Sequence, residues 1–98
     1  MKYTLLIRRV AELDITNSFH YYESKRLGLG HDFLLCIEDA LSKIERNPIQ
    51  YQLVHKNLRR CLVRRFPFSV FYFVEDSEII VTAIFHAHKN QNSWNDRT

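Results

Sequence analysis

Glycine and proline are scarce, with two of each among 98 residues, and 46% of the chain is hydrophobic. Both facts argue against disorder, because a chain of this composition can bury enough apolar surface to offset its ordering entropy. Cysteine is equally rare. Cys36 and Cys61 lie in unrelated apolar contexts, as fits reduced thiols acting as small buried side chains and not a disulfide framework. Long apolar runs are missing. "MKYTLLIRRV" offers only five uncharged residues between Lys2 and Arg8, too few for a secretory signal, and no later window approaches a membrane span. The expected location is therefore cytoplasmic, with no membrane partner. No internal repeat or low-complexity segment is present either.

What remains is an ordinary globular chain, expected to form a single domain over residues 1–98 with one core. Its formal charge is only +3, but the charge is unevenly placed: "HKNLRRCLVRR", from His55 to Arg65, carries five of the 14 lysines and arginines and no acid. Such a local positive field suits an acidic partner, either nucleic acid or an acidic protein segment. Charges there equally serve to keep a sheet edge from pairing with other chains.

The periodicity gives a simple order. "YTLLIRRV", Tyr3 to Val10, is rich in strand formers. Ala11, Ile15, Phe19 and Tyr22 then recur at helical spacing, with Asp14 as an early-turn acid, and "GLG" at Gly28 to Gly30 ends that helix. A second helix follows, with Asp32 as its cap and a broad stripe of Phe33, Leu34, Ile37, Ala40, Leu41 and Ile44. Asn47-Pro48 stops it. Three strands are expected at Leu58 to Arg64, Phe68 to Glu75 and Glu78 to His88, the last two joined by the turn at Glu75, Asp76 and Ser77. The fold class is thus α+β: β-α-α-β-β-β, with a helical hairpin packed on one face of a mainly antiparallel four-stranded sheet. Phe68, Val70, Tyr72 and Val74 point one way and Ser69, Phe71 and Phe73 the other, so their strand is central. On the last strand Ile80, Thr82, Ile84, His86 and His88 share a face. Because a helical hairpin covers only one side of a sheet, the other side is the expected place for a partner.

Three segments in order, "GLGHDFL", then "AL..I..NP..Y", then "RRFPFSVFYFVEDSEIIVTAIFHAHKNQNSW", resemble the RelE/ParE superfamily of bacterial toxins, and its ParE, plasmid-stabilisation branch more than its RelE branch. The resemblance covers nearly the whole chain. It implies a RelE/ParE-like fold and the toxin component of a type II toxin-antitoxin system, encoded beside a cognate antitoxin that wraps and neutralises it. The neighbouring gene is expected to supply a DNA-binding part and an acidic, amphipathic part.

The superfamily holds two activities. RelE-type members are ribosome-dependent mRNA endoribonucleases, whose chemistry needs a cation for the charge developing on phosphate and a group that moves protons. In their strand corresponding to "PFSVFY" an arginine commonly stands where this chain has Ser69. Near the C-terminus, where they often supply a tyrosine, this chain reads "NSW", with no tyrosine after Tyr72. ParE-type members instead act as DNA gyrase inhibitors through protein contact. The departures favour gyrase as the target over ribosome and mRNA, and hence a protein without catalysis of its own. Were it an enzyme, it would be a metal-independent mRNA interferase using Arg65, His86 and His88. The residues expected to bind target or antitoxin are Arg60, Arg64, Arg65, His86, His88, Lys89, Trp94 and Arg97. Trp94 reads equally well as a cap folded back on the sheet. His86 and His88 form a ligand-like pair, but no third ligand is evident, so neither a metal nor another cofactor is expected.

Overall fold

The computed structural model describes residues 2–86. Within them the chain runs β1 (Thr4–Ile7), α1 (Arg9–Lys25), α2 (Leu29–Arg46), a 3-10 turn (Pro48–Gln50), β2 (Gln52–His55), β3 (Leu58–Leu62), β4 (Phe68–Glu75) and β5 (Glu78–His86). The strands lie in the order β1-β5-β4-β3-β2, with β1 parallel to β5 and every other pair antiparallel. The α+β layout and the central place of β4 agree with the sequence pattern, but the sheet has five strands and not four. The extra strand, β2, is a four-residue edge whose pairing with β3 shifts between Leu53 and His55. That irregularity breaks the alternation by which a strand is recognised. The turn after it places Lys56 at φ 51, without the glycine that usually marks such a turn.

Two further boundaries moved. Arg8 is the last extended residue before α1, because its N–H donates to the Val81 carbonyl while its own carbonyl accepts from Ala11 and Glu12. Arg9 and Val10, expected in the strand, therefore open the helix, and Glu12 is its first-turn acid. At the other end, β3 stops at Leu62 and not at Arg64, since Val63 donates to Phe68 across a tight loop.

The core lies between the helices and one face of the sheet, where Ala11, Phe33, Ile37, Ala40 and Ile44 meet Val70, Tyr72, Ile79, Val81 and Ile84. Tyr72 is fully buried and its hydroxyl donates to the Pro48 carbonyl at 2.6 Å, so the strand holds the 3-10 turn in place. Burial drives that hydroxyl's pKa well above its ordinary value. A smaller cluster of Leu58, Phe71, Ala83 and Phe85 occupies the opposite face. These four residues are buried.

One inserted residue decides which side chains of β5 face which way. Phe71 pairs with Ala83 but Tyr72 with Val81, so Thr82 is the extra residue of a bulge, its hydroxyl donating to the Phe71 carbonyl at 3.4 Å. The bulge flips the alternation. Ile79 and Val81 face the helices before it and Ile84 faces them after it, while Ile80 pairs with Phe73 on the far face. The expected common face of Ile80, Thr82, Ile84, His86 and His88 is therefore broken, and His88 lies outside the described residues. Beyond Val81, β1 has run out, and the exposed edge of β5 is taken up by α1: the Ile84 N–H donates to the Asp14 carboxylate at 3.0 Å. Asp14 is thus a clasp between helix and sheet and not a first-turn acid.

The helical hairpin turns on a second carboxylate. Gly28, at φ 90, is the left-handed residue from which α2 starts. The capping acid is Glu23, not Asp32: its Oε2 accepts from the Gly28 N–H and its Oε1 from the Gly30 N–H, both at 2.9 Å. Those bonds satisfy amide donors that a helix start leaves free. Gly30 is required by proximity, since a Cβ there would lie 2.7 Å from the Phe19 carbonyl oxygen.

Two outcomes follow. Asp14→Ala leaves the Ile84 N–H without its partner and should cost about 1–3 kcal/mol, read as a lower urea midpoint with an unchanged m-value. Glu23→Gln is expected to be less stable than the wild type at neutral pH. The Gly28 N–H bond chiefly holds the Glu23 carboxyl below its ordinary 4.5, so its contribution is present above that value and lost as pH falls through the lower folded one. The gap between the two thermal midpoints should therefore close below about pH 4.5.

Candidate functional site

The loop between β3 and β4, residues 63–67, folds over the end of the sheet toward the helical hairpin. Phe66 anchors it, packing edge-on against Tyr22 at 4.9 Å and Phe33 at 5.4 Å between ring centroids. Phe68 joins the same aromatic cluster at 5.0 Å from Phe33. Arg65 comes directly before these anchors at φ 71, a left-handed backbone that costs a branched or bulky residue energy and persists only where its surroundings impose it. Its guanidinium reaches Asp32 of α2 at 3.8 Å and lies 5.7 Å from the Phe66 ring centroid.

His86, the last residue of β5, closes the same end. It pairs in register with Phe68, and the rings meet edge-on at 5.3 Å. Because the bulge has flipped the alternation, His86 stands on the helix side of the sheet, beside the aromatic cluster. Arg64 is exposed. The Lys43 ammonium, 2.9 Å from Asp39, holds the Asp39 carboxyl below its ordinary value, with the charges of Arg64 and Arg46 adding to it.

Arg64, Arg65 and His86 thus come together at one end of the molecule. Arg60 does not join them: it pairs with Phe71 and Gln52, on the face opposite the helices. His88, Lys89, Trp94 and Arg97 lie outside the described residues. Arg59, the neighbour of Arg60, carries a role that sequence reasoning missed. Its Nη1 donates to the carbonyls of Ile49 and Tyr51 at 2.9 and 2.6 Å, so it ties down the 3-10 turn; nothing distinguishes it from Arg60 in the sequence beyond the parity of the strand.

Ser69 is buried, with 2% of its surface exposed, between Leu62 and Phe85 on the far face. No cation stands at that position of the strand. Among the described residues no group of three or more His, Cys, Asp or Glu is placed to hold a metal ion, and no helix is long and apolar enough to cross a membrane.

The model of the ParE toxin of type II toxin-antitoxin systems matches residues 5–91. The chain belongs to the ParE toxin family. No curated protein matches it. Among solved structures it is similar to a chain of the chromosomal ParDE toxin-antitoxin system from P. aeruginosa, with a TM-score of 0.78 and 18% identity over 89% of this chain and 98% of that one. It is also similar to a chain of the RelBE2 toxin-antitoxin complex from Mycobacterium tuberculosis, with a TM-score of 0.59 and 15% identity over 88% of this chain and 99% of that one. At these identities the likeness is one of fold: two helices packed on a mostly antiparallel five-stranded sheet.

The left-handed backbone at Arg65 gives a test that separates its side chain from its place in the fold. Arg65→Gly relieves the strain and loses an exposed ion pair, so stability should stay within about 1 kcal/mol of the wild type. Toxicity on expression should fall sharply in the same variant if the guanidinium belongs to the working surface. A comparable loss of thermal stability would instead make Arg65 a structural residue.

Proposed function

We propose that this ParE toxin inhibits DNA gyrase by binding it as a protein, and that a cognate antitoxin neutralises it. The observation that carries this reading is Ser69, buried and uncharged where the resemblance to RelE-type nucleases calls for an arginine. Attack of a ribose 2′-hydroxyl on the adjacent phosphate, with the 5′-oxygen leaving, needs cations aimed at the phosphate and a proton carrier beside them. Here Arg65 is drawn to Asp32 at 3.8 Å and not aimed at open space, as suits a surface that recognises a partner. The contact surface in this reading is the end of the sheet formed by Arg64, Arg65 and His86, with Arg60 on the far face. His88, Lys89, Trp94 and Arg97 complete the set of binding residues, and the site of action is the cytoplasm.

The family membership and the two structural neighbours, one from a ParDE system and one from a toxin-antitoxin complex, support an antitoxin partner. Purified chain should block supercoiling by gyrase and raise the amount of cleaved DNA, and the antitoxin should reverse both. Unaffected gyrase at micromolar toxin, together with codon-positioned cuts in mRNA on translating ribosomes, would establish the nuclease reading in its place; in that case changing Arg65 and His86 to alanine should abolish the cuts.

A further inference from the structure

At the end of the sheet opposite the β3–β4 loop, the turns enclose a cavity of about 510 Å³, within the roughly 300–1,000 Å³ of small-molecule sites. Tyr3, Val74, Leu53 and Ile49 give it apolar walls, and the last two keep 51% and 52% of their surface exposed. Arg59 lines it too, its guanidinium fixed by the two carbonyls it holds. The charged ends of the cavity are turn residues. Lys56 and Asn57 form the β2–β3 turn, between the paired His55 and Leu58, and Asp76 opens the β4–β5 turn, between the paired Glu75 and Glu78. Lys56 and Asp76 both line the cavity and both have left-handed backbones, at φ 51 and 56. Aspartate and asparagine accept that conformation more readily than lysine does, yet Lys56 takes it with Asn57 next in the chain. Strain kept in this way is a mark of ligand clamps. Among the described residues neither Lys56 nor Asp76 forms an ion pair. Strands lie about 4.8 Å apart, so two strand spacings set the turns about 10 Å from each other.

We propose that this cavity binds a short apolar peptide with free ends, its terminal carboxylate at Lys56 and Arg59 and its terminal ammonium at Asp76. Three extended residues span about 10 Å, the separation of the two turns. Their side chains would meet Leu53, Val74 and Tyr3. Opposite charges at the two ends select against other ligand classes: a phosphate ester brings a second anion toward Asp76, and a fatty acid has no donor for it. The whole of β4 separates the cavity from Arg64 and Arg65, so the proposal does not depend on which target the toxin takes.

The test titrates the full chain with the tripeptide Leu-Ala-Leu and follows the backbone amide resonances, with the N-acetylated tripeptide, the C-amidated tripeptide and octanoate as comparison ligands. At millimolar peptide the shifts should gather at Leu53, Lys56, Asn57, Arg59 and Val74. Blocking either end should weaken binding about two- to fivefold, as far as an exposed ion pair carries. Two variants assign the ends. In Asp76→Asn the free and acetylated tripeptides should bind alike, and in Lys56→Gln the free and amidated ones should, with both thermal midpoints unchanged. A variant that merely loosened the fold would weaken every ligand together and would not erase one difference alone. Absence of shifts around the cavity at millimolar peptide overturns the proposal, as do equal affinities of free and blocked tripeptides for the wild type. Octanoate binding as tightly as the tripeptide overturns it too, and would make the cavity a site for an apolar anion.

Discussion

The single extra residue at Thr82 is the constraint on which the arrangement depends. Strand β5 must pair in parallel with β1 along its first half and antiparallel with β4 along its whole length. It must also present apolar side chains to the helices throughout. A regular strand that placed Ile79 and Val81 under the helical hairpin would turn Ala83 and Phe85 to that side and send Ile84 and His86 to the other. The bulge restores Ile84 to the core, puts His86 beside Phe68, and leaves Ala83 and Phe85 to build the small cluster on the far face. Twist added by a bulge also bends the strand, at the point where β1 ends and Asp14 takes over the edge.

Carboxylates do the joining in this fold. Asp14 ties α1 to the sheet, and Glu23 ties the end of α1 to the start of α2. Each accepts from backbone N–H groups that secondary structure leaves unpaired, where an anion is worth more than in a surface ion pair. The cations are arranged differently. Arg59 is spent on backbone carbonyls, while Arg64, Arg65, Lys43 and Arg46 gather on one flank and one end. Two acids thus serve as structural joints, and these four bases stand on the surface.

Much of the fold was legible in the sequence because it follows from period and punctuation. The two-sided apolar pattern of Phe68 to Val74 marked a central strand, the stripe from Phe33 to Ile44 marked a core helix, and Pro48 marked its end. What escaped depended on contacts distant in sequence. Asp14 meets Ile84 seventy residues away, Glu23 outcompetes the nearer Asp32 because α1 returns it to the right place, and the bulge at Thr82 leaves no local sign since threonine suits any strand position. β2 was lost for the opposite reason, being too short and too irregular to show a period. In the candidate site, charge singled out Arg64 and Arg65 and the place after Phe85 singled out His86, but that the β3–β4 loop brings them to one end of the sheet was not legible in the sequence. Arg60 stands on the other face from them by strand parity, which the sequence showed only once the strand was placed.

In the proposed reading the working surface is the end where the β3–β4 loop meets the last residues of β5. The most direct measurement is an amide hydrogen-exchange footprint of the chain with and without gyrase. It should show slowed exchange across residues 63–68 and at His86, with α1 unchanged. Protection confined to α1, or none at any gyrase concentration, would contradict the account.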